Sequence, residues 1–371
     1  MNETRMSKTT KWHNSIPIYK PTIANDSIIS ISLVIKCGSR EDGYNQQGRA
    51  HFVEHYLLYD DIITEGIWVK AKTMYDRTVY EILCRNCPNQ IEVAFKVIDK
   101  ISCGYYMKEI NLENVRSEII REYRIEQKKQ SFQVYEMICK NIAPSLYMPI
   151  GTIEAIRKLS FDQVKNYFDK YYIASNMAIF INQIEPRDNS EDCRGTVFFD
   201  REKTGRKRML ITSVICAPII RKEIESNYIK QIIYDGIFMS LLQRVLGKYE
   251  RIIATGMMPA YTIGEHRIYK VEREYKDITK WHSLSRILEY ILNTSVDNYV
   301  SEIMADYHTF FLEKINDWNY WVKYHIDCFV MNRKTDTIDD FFELLKMTTI
   351  DEVKEYIHTV CIKSKIYEYS N

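Results

Sequence analysis

The chain has 371 residues, 51 basic and 50 acidic side chains, and a formal net charge of +1. This balance leaves no basic surplus for nucleic acid, so we expect no nucleic-acid partner. Hydrophobic residues make up 46% of the chain and charged residues 27%, as is typical of globular proteins. The length is sufficient for two domains with full cores.

Membrane association gets no support from the sequence. Residues 1–13 are polar and charged, and no later apolar run approaches membrane length, so we expect neither a signal sequence nor a membrane partner. The nine cysteines are odd in number and scattered, mostly within apolar runs, which favours reduced, buried thiols. We therefore predict a cytoplasmic protein.

The first half of the chain predicts strands and helices in alternation. Period-two patterns predict strands at 15–20, 28–37, 67–73, 78–84 and 177–181. Apolar stripes at helical spacing predict helices over 48–58, around 91–98, from Asn111 onward, and near 131–142 and 161–172. The polar stretch 185–194 and the basic stretch 201–208 then predict a linker.

The second half repeats this order. Strands are predicted at 209–217, 251–256, 265–272 and 365–369, with helices near 225–247, 279–293, 297–314, 318–330, 337–346 and 350–358. We predict an α+β fold of two similar domains, each an antiparallel-rich sheet packed with helices. The predicted boundaries are 1–186 for the N-terminal domain, 187–208 for the linker and 209–371 for the C-terminal domain.

Two helix starts support a duplication. Ser160 with Gln163 and Thr349 with Glu352 both form the capping-box pattern, 189 positions apart. Convergence of two helix starts is the alternative explanation. The same offset carries the segment around residue 51 onto 240–244, which contains no metal ligand, so only the first half is expected to carry chemistry.

The segment 48–58 contains His51-Phe52-Val53-Glu54-His55. In a helix the two histidines lie one turn apart and Glu54 falls within the same arc, so two ring nitrogens reach one metal ion. H-x-x-E-H is the inverted form of the H-E-x-x-H zinc motif, in which the histidines bind the metal and the glutamate transfers a proton. Two ordinary histidines of a partly buried helix would give the same pattern.

A hydrolytic zinc site needs a third protein ligand, and two histidines with one glutamate are a known set. Glu118 and Glu122 are the candidates, both on the charged helix that begins near Asn111. They lie one turn apart on the same face. The residue pattern alone leaves both open.

The motifs along residues 30–182 resemble those of the pitrilysin/insulinase (inverzincin) zinc peptidases. The matching segments are Gly38-Ser39-Arg40-Glu41, Gly48 to His55, Ala71-x-Thr73 with Thr78-Val79-Tyr80, Asn114 to Glu118, Pro149-Ile150-Gly151-Thr152 with Glu154 and Ile156, and Tyr171-Tyr172 with Asn176-Met177. The resemblance implies a zinc metalloendopeptidase with Zn²⁺ held by His51, His55 and Glu118, and with Glu54 as the catalytic base. Glu122 is the reserve for the third ligand.

The resemblance also implies a peptide substrate that binds extended beside the strand 67–73. Lys70, Ala71 and Thr73 are the expected substrate-binding residues, with Lys70 standing where the family usually has asparagine. Tyr80 is a further candidate for substrate contact, although a strand tyrosine is more commonly a core residue.

Family members of this length have two similar domains per chain, and two chains close as a clamshell around the substrate. Some members supply an arginine and a tyrosine from the C-terminal domain to steady the substrate carbonyl. Gly247 and Ala254 stand at those positions here. We therefore expect a heterodimer in which a second half-length peptidase-like chain provides the missing pair. The alternatives are a homodimeric oligopeptidase and a non-catalytic scaffold subunit of the same fold.

Overall fold

The computed structural model describes residues 6–21, 27–58, 66–141, 148–184, 209–218, 228–247, 251–258, 266–275, 282–294, 296–314, 318–335 and 337–370. The chain divides into two compact units. The first unit comprises residues 1–185 and 314–335, and the second comprises residues 186–313 and 336–371. The expected linker, 187–208, lies outside the described residues.

The first unit consists of a mixed sheet and a set of helices. Its strands are β1 (Met6–His13), β2 (Ile16–Pro21), β3 (Ile28–Ile35), β4 (Trp68–Thr73), β5 (Thr78–Arg85) and β6 (Met177–Ile184). Its helices are α1 (Arg49–Leu57), α2 (Pro88–Ser102), α3 (Leu112–Glu126), α4 (Gln130–Asn141), α5 (Ile153–Lys158) and α6 (Phe161–Tyr171). The elements predicted from periodicity are all present, whereas β1 and α5 were not predicted.

The first sheet has the strand order β1-β2-β6-β3-β5-β4. Neighbouring strands are antiparallel except for the β2–β6 pair. The central strand β3 is buried along nearly its whole length and pairs Leu33 with both Tyr80 and Ile179. In the described sheet β4 is an edge strand, so its outer backbone groups face no neighbouring strand.

The second unit repeats the central part of this arrangement. Its strands are β7 (Met209–Pro218), β8 (Arg251–Met258), β9 (His266–Tyr275) and β10 (Lys365–Ser370), in the antiparallel order β10-β7-β9-β8. Its helices are α7 (Tyr228–Leu246), α8 (Leu284–Asn293), α9 (Asp297–Lys314), α11 (Ile338–Met347) and α12 (Ile350–Lys363). The order β6-β3-β5-β4 in the first sheet and β10-β7-β9-β8 in the second place equivalent strands at equivalent positions.

Further correspondences support the predicted duplication. Both capping boxes are formed, at Ser160 of α6 and at Thr349 of α12. The offset of 189 positions also relates Tyr80 of β5 to Tyr269 of β9, two fully buried tyrosines. The predicted α+β fold of two similar sheet-and-helix domains is therefore confirmed.

One helix of the second half lies with the first unit instead. Helix α10 (Trp318–Val330) packs on β6, on the face of the first sheet away from α1. Its Val322 and Val330 cluster with Val34, Ala178 and Phe180. β3 and β6 thus carry apolar side chains on both faces of the sheet. The face away from α1 therefore also has to be covered. The expected C-terminal domain 209–371 is therefore not one continuous stretch.

A buried arginine fixes α10 to the turn between β4 and β5. The Arg77 guanidinium donates two hydrogen bonds to Asp76, at 3.0 and 2.9 Å, and a third to Asp327 of α10 at 2.6 Å. The Arg77 side chain is only 7% exposed. This ion pair joins positions 250 residues apart in sequence. Among the described residues, no helix has the length and apolar character required to cross a membrane.

Candidate metal centre

Helix α1 starts from a tightly packed loop. Gly48 has φ +88°, and a Cβ there would lie 2.9 Å from the carbonyl oxygen of Ile150, so both conformation and space require glycine. The buried Asp42 carboxylate accepts hydrogen bonds from the backbone N–H groups of Gly48, at 2.7 Å, and Ala50, at 3.0 Å. A carboxylate thus caps the positive end of the helix dipole. Burial nevertheless raises the pKa of Asp42 to about 8.

The apolar residues of α1 fix its orientation. Phe52, Val53, Tyr56 and Leu57 are fully buried in the core of the first unit. Because they hold the opposite faces of the helix, one arc remains for His51, Glu54 and His55. His51 and Glu54 are 7% exposed, and His55 is half-buried.

Three donor atoms converge beside α1. The Nε2 atoms of His51 and His55 lie 3.2 Å apart. The Oε2 atom of Glu122 lies 3.0 Å from His55 Nε2 and 3.6 Å from His51 Nε2. Among the described residues, this is the one group of at least three such side chains whose donor atoms lie close enough together to share a metal ion.

Glu118 lies beside this group and faces a different atom. Its Oε2 is 3.6 Å from Nδ1 of His55, the ring nitrogen that points away from His51. Sequence reasoning placed the third ligand at Glu118 and kept Glu122 in reserve. The geometry favours the reserve, because the two glutamates are one turn apart and the roll and height of α3 against α1 bring the later one to the two Nε2 atoms.

The two imidazoles of the cluster have pKa shifts of opposite sign. Burial lowers the pKa of His51. Burial also lowers the pKa of His55, but the hydrogen bond to Glu122 and the nearby carboxylates outweigh it, so the net shift is upward. The hydrogen bond from His55 lowers the pKa of Glu122. A metal cation would compete with the proton for these same atoms.

The donor set fits zinc. A tetrahedral zinc ion with ligand distances of about 2.0–2.2 Å separates its donor atoms by about 3.3–3.6 Å. The observed separations of 3.0, 3.2 and 3.6 Å lie within about 0.3 Å of that range. Two imidazoles and one carboxylate also leave the fourth position that a hydrolytic site requires. His55 has Glu118 at its second nitrogen, whereas Nδ1 of His51 is buried without a hydrogen-bond partner among the described residues.

Glu54 is held in place by β4. The Thr73 hydroxyl at the end of the strand donates a short hydrogen bond to Glu54 Oε2. Thr73 is itself buried, and its hydroxyl orients the carboxylate. Sequence reasoning had assigned Thr73 to substrate binding.

The other expected substrate-binding residues are distributed differently along the hairpin. Lys70 is exposed and pairs with Glu81 across the β4–β5 ladder. Ala71 is half-buried against the core. Tyr80 is fully buried and its hydroxyl lies 2.8 Å from that of Tyr172. Tyr80 thus packs into the core, and its contact with a substrate stays a prediction.

Sequence reasoning missed two residues that position the centre. Asp42 caps α1, and Arg116 of α3 donates hydrogen bonds to the carbonyl oxygens of Ile156 and Leu159. A buried arginine that binds backbone carbonyls fixes the rotation of α3, and with it Glu118 and Glu122. An acidic residue before a helix start is a recognisable signal, and Asp42 provides one. Its hydrogen bond to Gly48, six residues later, could not be read from the sequence. The helical pattern gave no signal for Arg116.

The comparisons with known proteins identify the family of this region. Residues 21–143 match the profile of the Insulinase (Peptidase family M16) family. These residues therefore form an M16 (insulinase) family domain, as the motifs predicted. The match covers strands β3 to β5 and helices α1 to α4, which include the whole cluster.

Named relatives support the same class. The chain is 25% identical over 169 residues to the zinc protease PQQL-like protein of Arabidopsis thaliana, covering 40% of this chain and 18% of that protein. It is 24% identical over 187 residues to the mitochondrial-processing peptidase subunit beta of Saccharomyces cerevisiae, covering 47% of this chain and 40% of that protein. The chain thus spans less than half the length of either relative.

Solved structures share the fold over nearly the whole chain. A putative M16-like peptidase from Alicyclobacillus acidocaldarius superposes with a TM-score of 0.74 at 13% identity, covering 99% of this chain and 97% of that one. A peptidase M16 inactive domain from Pseudomonas fluorescens superposes with a TM-score of 0.70 at 13% identity, covering 99% and 97%. The fold therefore accommodates both a peptidase-like protein and a domain described as inactive.

Proposed function

We propose that this chain is a zinc-dependent endopeptidase subunit in which His51, His55 and Glu122 bind the metal and Glu54 is the general base. The observation that carries the proposal is the triangle of donor atoms at 3.0, 3.2 and 3.6 Å beside a buried carboxylate on the same helix. The zinc-protease names of the relatives support the choice of metal. Zinc bound there supplies a Lewis acid for the peptide carbonyl and lowers the pKa of water.

The residues of the chain account for the proton transfers. Glu54 accepts a proton from the attacking water and delivers it to the leaving amine, which requires a carboxylate held in one orientation. The hydrogen bond from Thr73 supplies that orientation. Because Thr73 is the last residue of β4, this hydrogen bond fixes the base relative to the edge strand.

The edge of β4 is the proposed substrate-binding site. An extended peptide adds to an unpaired strand edge through main-chain hydrogen bonds and is discriminated through its alternate side chains. The described sheet ends at β4, and Thr73 at the end of this strand donates a hydrogen bond to Glu54. A peptide along this edge would therefore pass the base within about two residues, since a strand rises about 3.3 Å per residue.

Replacing Glu54 by glutamine tests the catalytic assignment. The amide keeps the shape of the side chain but cannot accept the proton, so we expect a loss of about 10²–10⁴-fold in peptide cleavage with zinc content unchanged. Peptide cleavage and metal content are measured on the same preparations. Glu126→Gln, at the end of α3, is the matched control and should behave as the unmodified chain. Undiminished turnover by the Glu54→Gln variant would refute the assigned base.

A partner chain is the second part of the proposal. The positions expected for the substrate-stabilising arginine and tyrosine are Gly247, just after α7, and Ala254, in β8. We propose a heterodimer, or otherwise a homodimer, that closes as a clamshell around a short peptide or leader sequence. The name of the yeast relative, a subunit, supports an assembly. Full activity of the purified chain as a monomer would refute the need for any partner.

The scaffold alternative rests on the inactive domain that shares this fold. It predicts that the purified chain holds zinc well below one equivalent and that Glu54→Gln changes nothing. The complete donor triangle favours the peptidase. The proposed cytoplasmic location is tested by fractionating cells and following the chain with an antibody.

A further inference from the structure

One face of the edge strand β4 carries exposed basic side chains. The strand alternates strictly: Trp68, Lys70 and Lys72 are exposed, whereas Val69 and Ala71 pack toward the core and Thr73 is buried. The exposed residues therefore lie on the face of the sheet opposite to α1 and the metal ligands. A peptide paired with β4 would present every second side chain to this face.

The two lysines differ in how their charges are balanced. Lys70 stands opposite Glu81 and forms an ion pair with it, and its ammonium also lies 5.2 Å from the Trp68 ring. Lys72 stands opposite Val79, an apolar residue. Lys72 forms no ion pair with any residue that the structure describes. The outer face of the strand thus carries one unbalanced positive charge.

This charge lies next to the catalytic end of the strand. Lys72 directly precedes Thr73, whose hydroxyl binds Glu54. The substrate residue beside Lys72 is therefore within about two residues of the cleaved bond. Its neighbours in the peptide point to the other face, which carries α1 and the metal ligands.

We propose that Lys72 is a specificity-determining residue that selects peptides with an acidic side chain at the outward-facing position nearest the cleaved bond. The inference rests on the proposed peptidase function and on peptide binding along β4. Opposite charges on neighbouring strands attract, and at an exposed site the gain is modest. The preference is confined to that position, because adjacent peptide residues face the opposite side of the sheet and Lys70 is already paired with Glu81.

A glutamate scan tests this inference. Peptides of one extended host sequence carry Glu, Gln or Lys at each of several consecutive positions around the cleaved bond, and kcat/KM is measured with the zinc-loaded chain and any chain that co-purifies. We expect Glu to exceed Gln by about two- to fivefold at one outward-facing position and to give no gain at its neighbours. The preference should shrink at high salt.

Three variants assign the effect. Lys72→Glu should reverse the preference from Glu to Lys at that position. Lys70→Met should change it less, because Glu81 already balances the Lys70 charge. Lys96→Glu, on the surface of α2, is the matched charge control and should leave the preference intact. An unchanged preference in the Lys72→Glu variant would overturn the inference.

Binding separates this inference from the proposed function. Labelled peptides are titrated into the Glu54→Gln variant with and without the Lys72→Glu change. Cleavage without charge preference overturns the role of Lys72 and leaves the peptidase assignment standing. If no zinc-dependent cleavage occurs, the peptidase assignment fails. A Lys72-dependent Glu/Gln ratio in binding then still supports the inference, and an equal ratio overturns it.

Discussion

In both units a side chain of one helix faces two acidic residues that lie one turn apart on another helix. In the first unit His55 of α1 faces Glu118 and Glu122, four residues apart on α3. The offset of 189 positions carries His55 onto Arg244 of α7. There the Arg244 guanidinium pairs with Glu302 and Asp306, which are also four residues apart, on α9.

The comparison shows that similar pairs of acidic residues face different side chains in the two units. Two acidic residues one turn apart face a cationic position in both units. In the second unit a covalently attached guanidinium fills that position, and the offset from His51 gives Ser240, which is not a ligand. In the first unit two imidazoles leave room for an exchangeable cation. If the helix pairs are equivalent, the proposed metal centre is a local change on a shared arrangement.

The largest expected effect concerns the third ligand. Glu122→Gln removes an anionic donor from the cluster, whereas Glu118→Gln removes only the partner of His55 Nδ1. Loss of such an outer partner costs about 10–100-fold in metal affinity, and loss of the ligand should cost more. Zinc affinity is measured by competition with a chelating dye, with Glu126→Gln as the control. A larger loss for Glu118→Gln would return the ligand role to Glu118.

The next effect lies in the second unit. Asp235 and Arg267 are 2% and 4% exposed and lie 3.5 Å apart, and Tyr269 donates a further hydrogen bond to Asp235 at 2.7 Å. Arg267→Met leaves a buried carboxyl group without its cation and should cost about 3–5 kcal/mol of unfolding free energy. Burial already raises the pKa of Asp235, so the cost should be smaller at low pH, where the group can take up a proton.

The double variant Asp235→Asn/Arg267→Met provides the control for this pair. It removes both charges and should recover part of the lost stability. Urea denaturation gives the unfolding free energies, and zinc affinity should be unchanged because the pair lies in the second unit. A double variant as unstable as the sum of the single ones would show that the charges do not act as a pair.

Much of this arrangement followed from the sequence, because periodicity is a local property. The alternation in β3 and the helical spacing of His51 and His55 predicted the strand, the helix and the shared arc. The choice between Glu118 and Glu122 depends on how far α3 is displaced along α1, which no local pattern encodes. The return of α10 to the first sheet was missed for a similar reason, since a helical stripe does not identify the surface that it covers.

The buried Asp42 at the start of α1 should make the stability of the protein depend on pH. In the folded state the pKa of Asp42 is raised to about 8, above an unfolded value of about 3.9, so the folded protein holds this proton more tightly. The resulting stabilisation is present below about pH 4 and is lost as the pH rises toward 8, with a slope of at most about 1.4 kcal/mol per pH unit. Asp42→Asn should flatten this slope in urea denaturation from pH 5 to 9.

The control for this prediction is Asp169→Asn, on the exposed surface of α6, which should keep the slope of the unmodified chain. If the Asp42→Asn variant has the same slope as the unmodified chain, the two backbone N–H donors keep Asp42 ionised over the whole range from pH 5 to 9. The capping carboxylate would then stabilise α1 at neutral pH and not oppose it.

The smallest effect tests the comparison directly. Arg244 and its partners are 35%, 65% and 70% exposed, so Arg244→Met should cost no more than about 1 kcal/mol. Ser240→His with Arg244→His recreates the histidine spacing of α1 in front of Glu302 and Asp306. If the two helix pairs are equivalent, this double variant gains a second zinc equivalent in the metal content of the chain, bound about 10–100-fold more weakly because the new imidazoles have no outer partners. Unchanged metal content would mean that α7 and α9 are set at a different height from α1 and α3, and that Arg244 resembles the metal position in sequence offset alone.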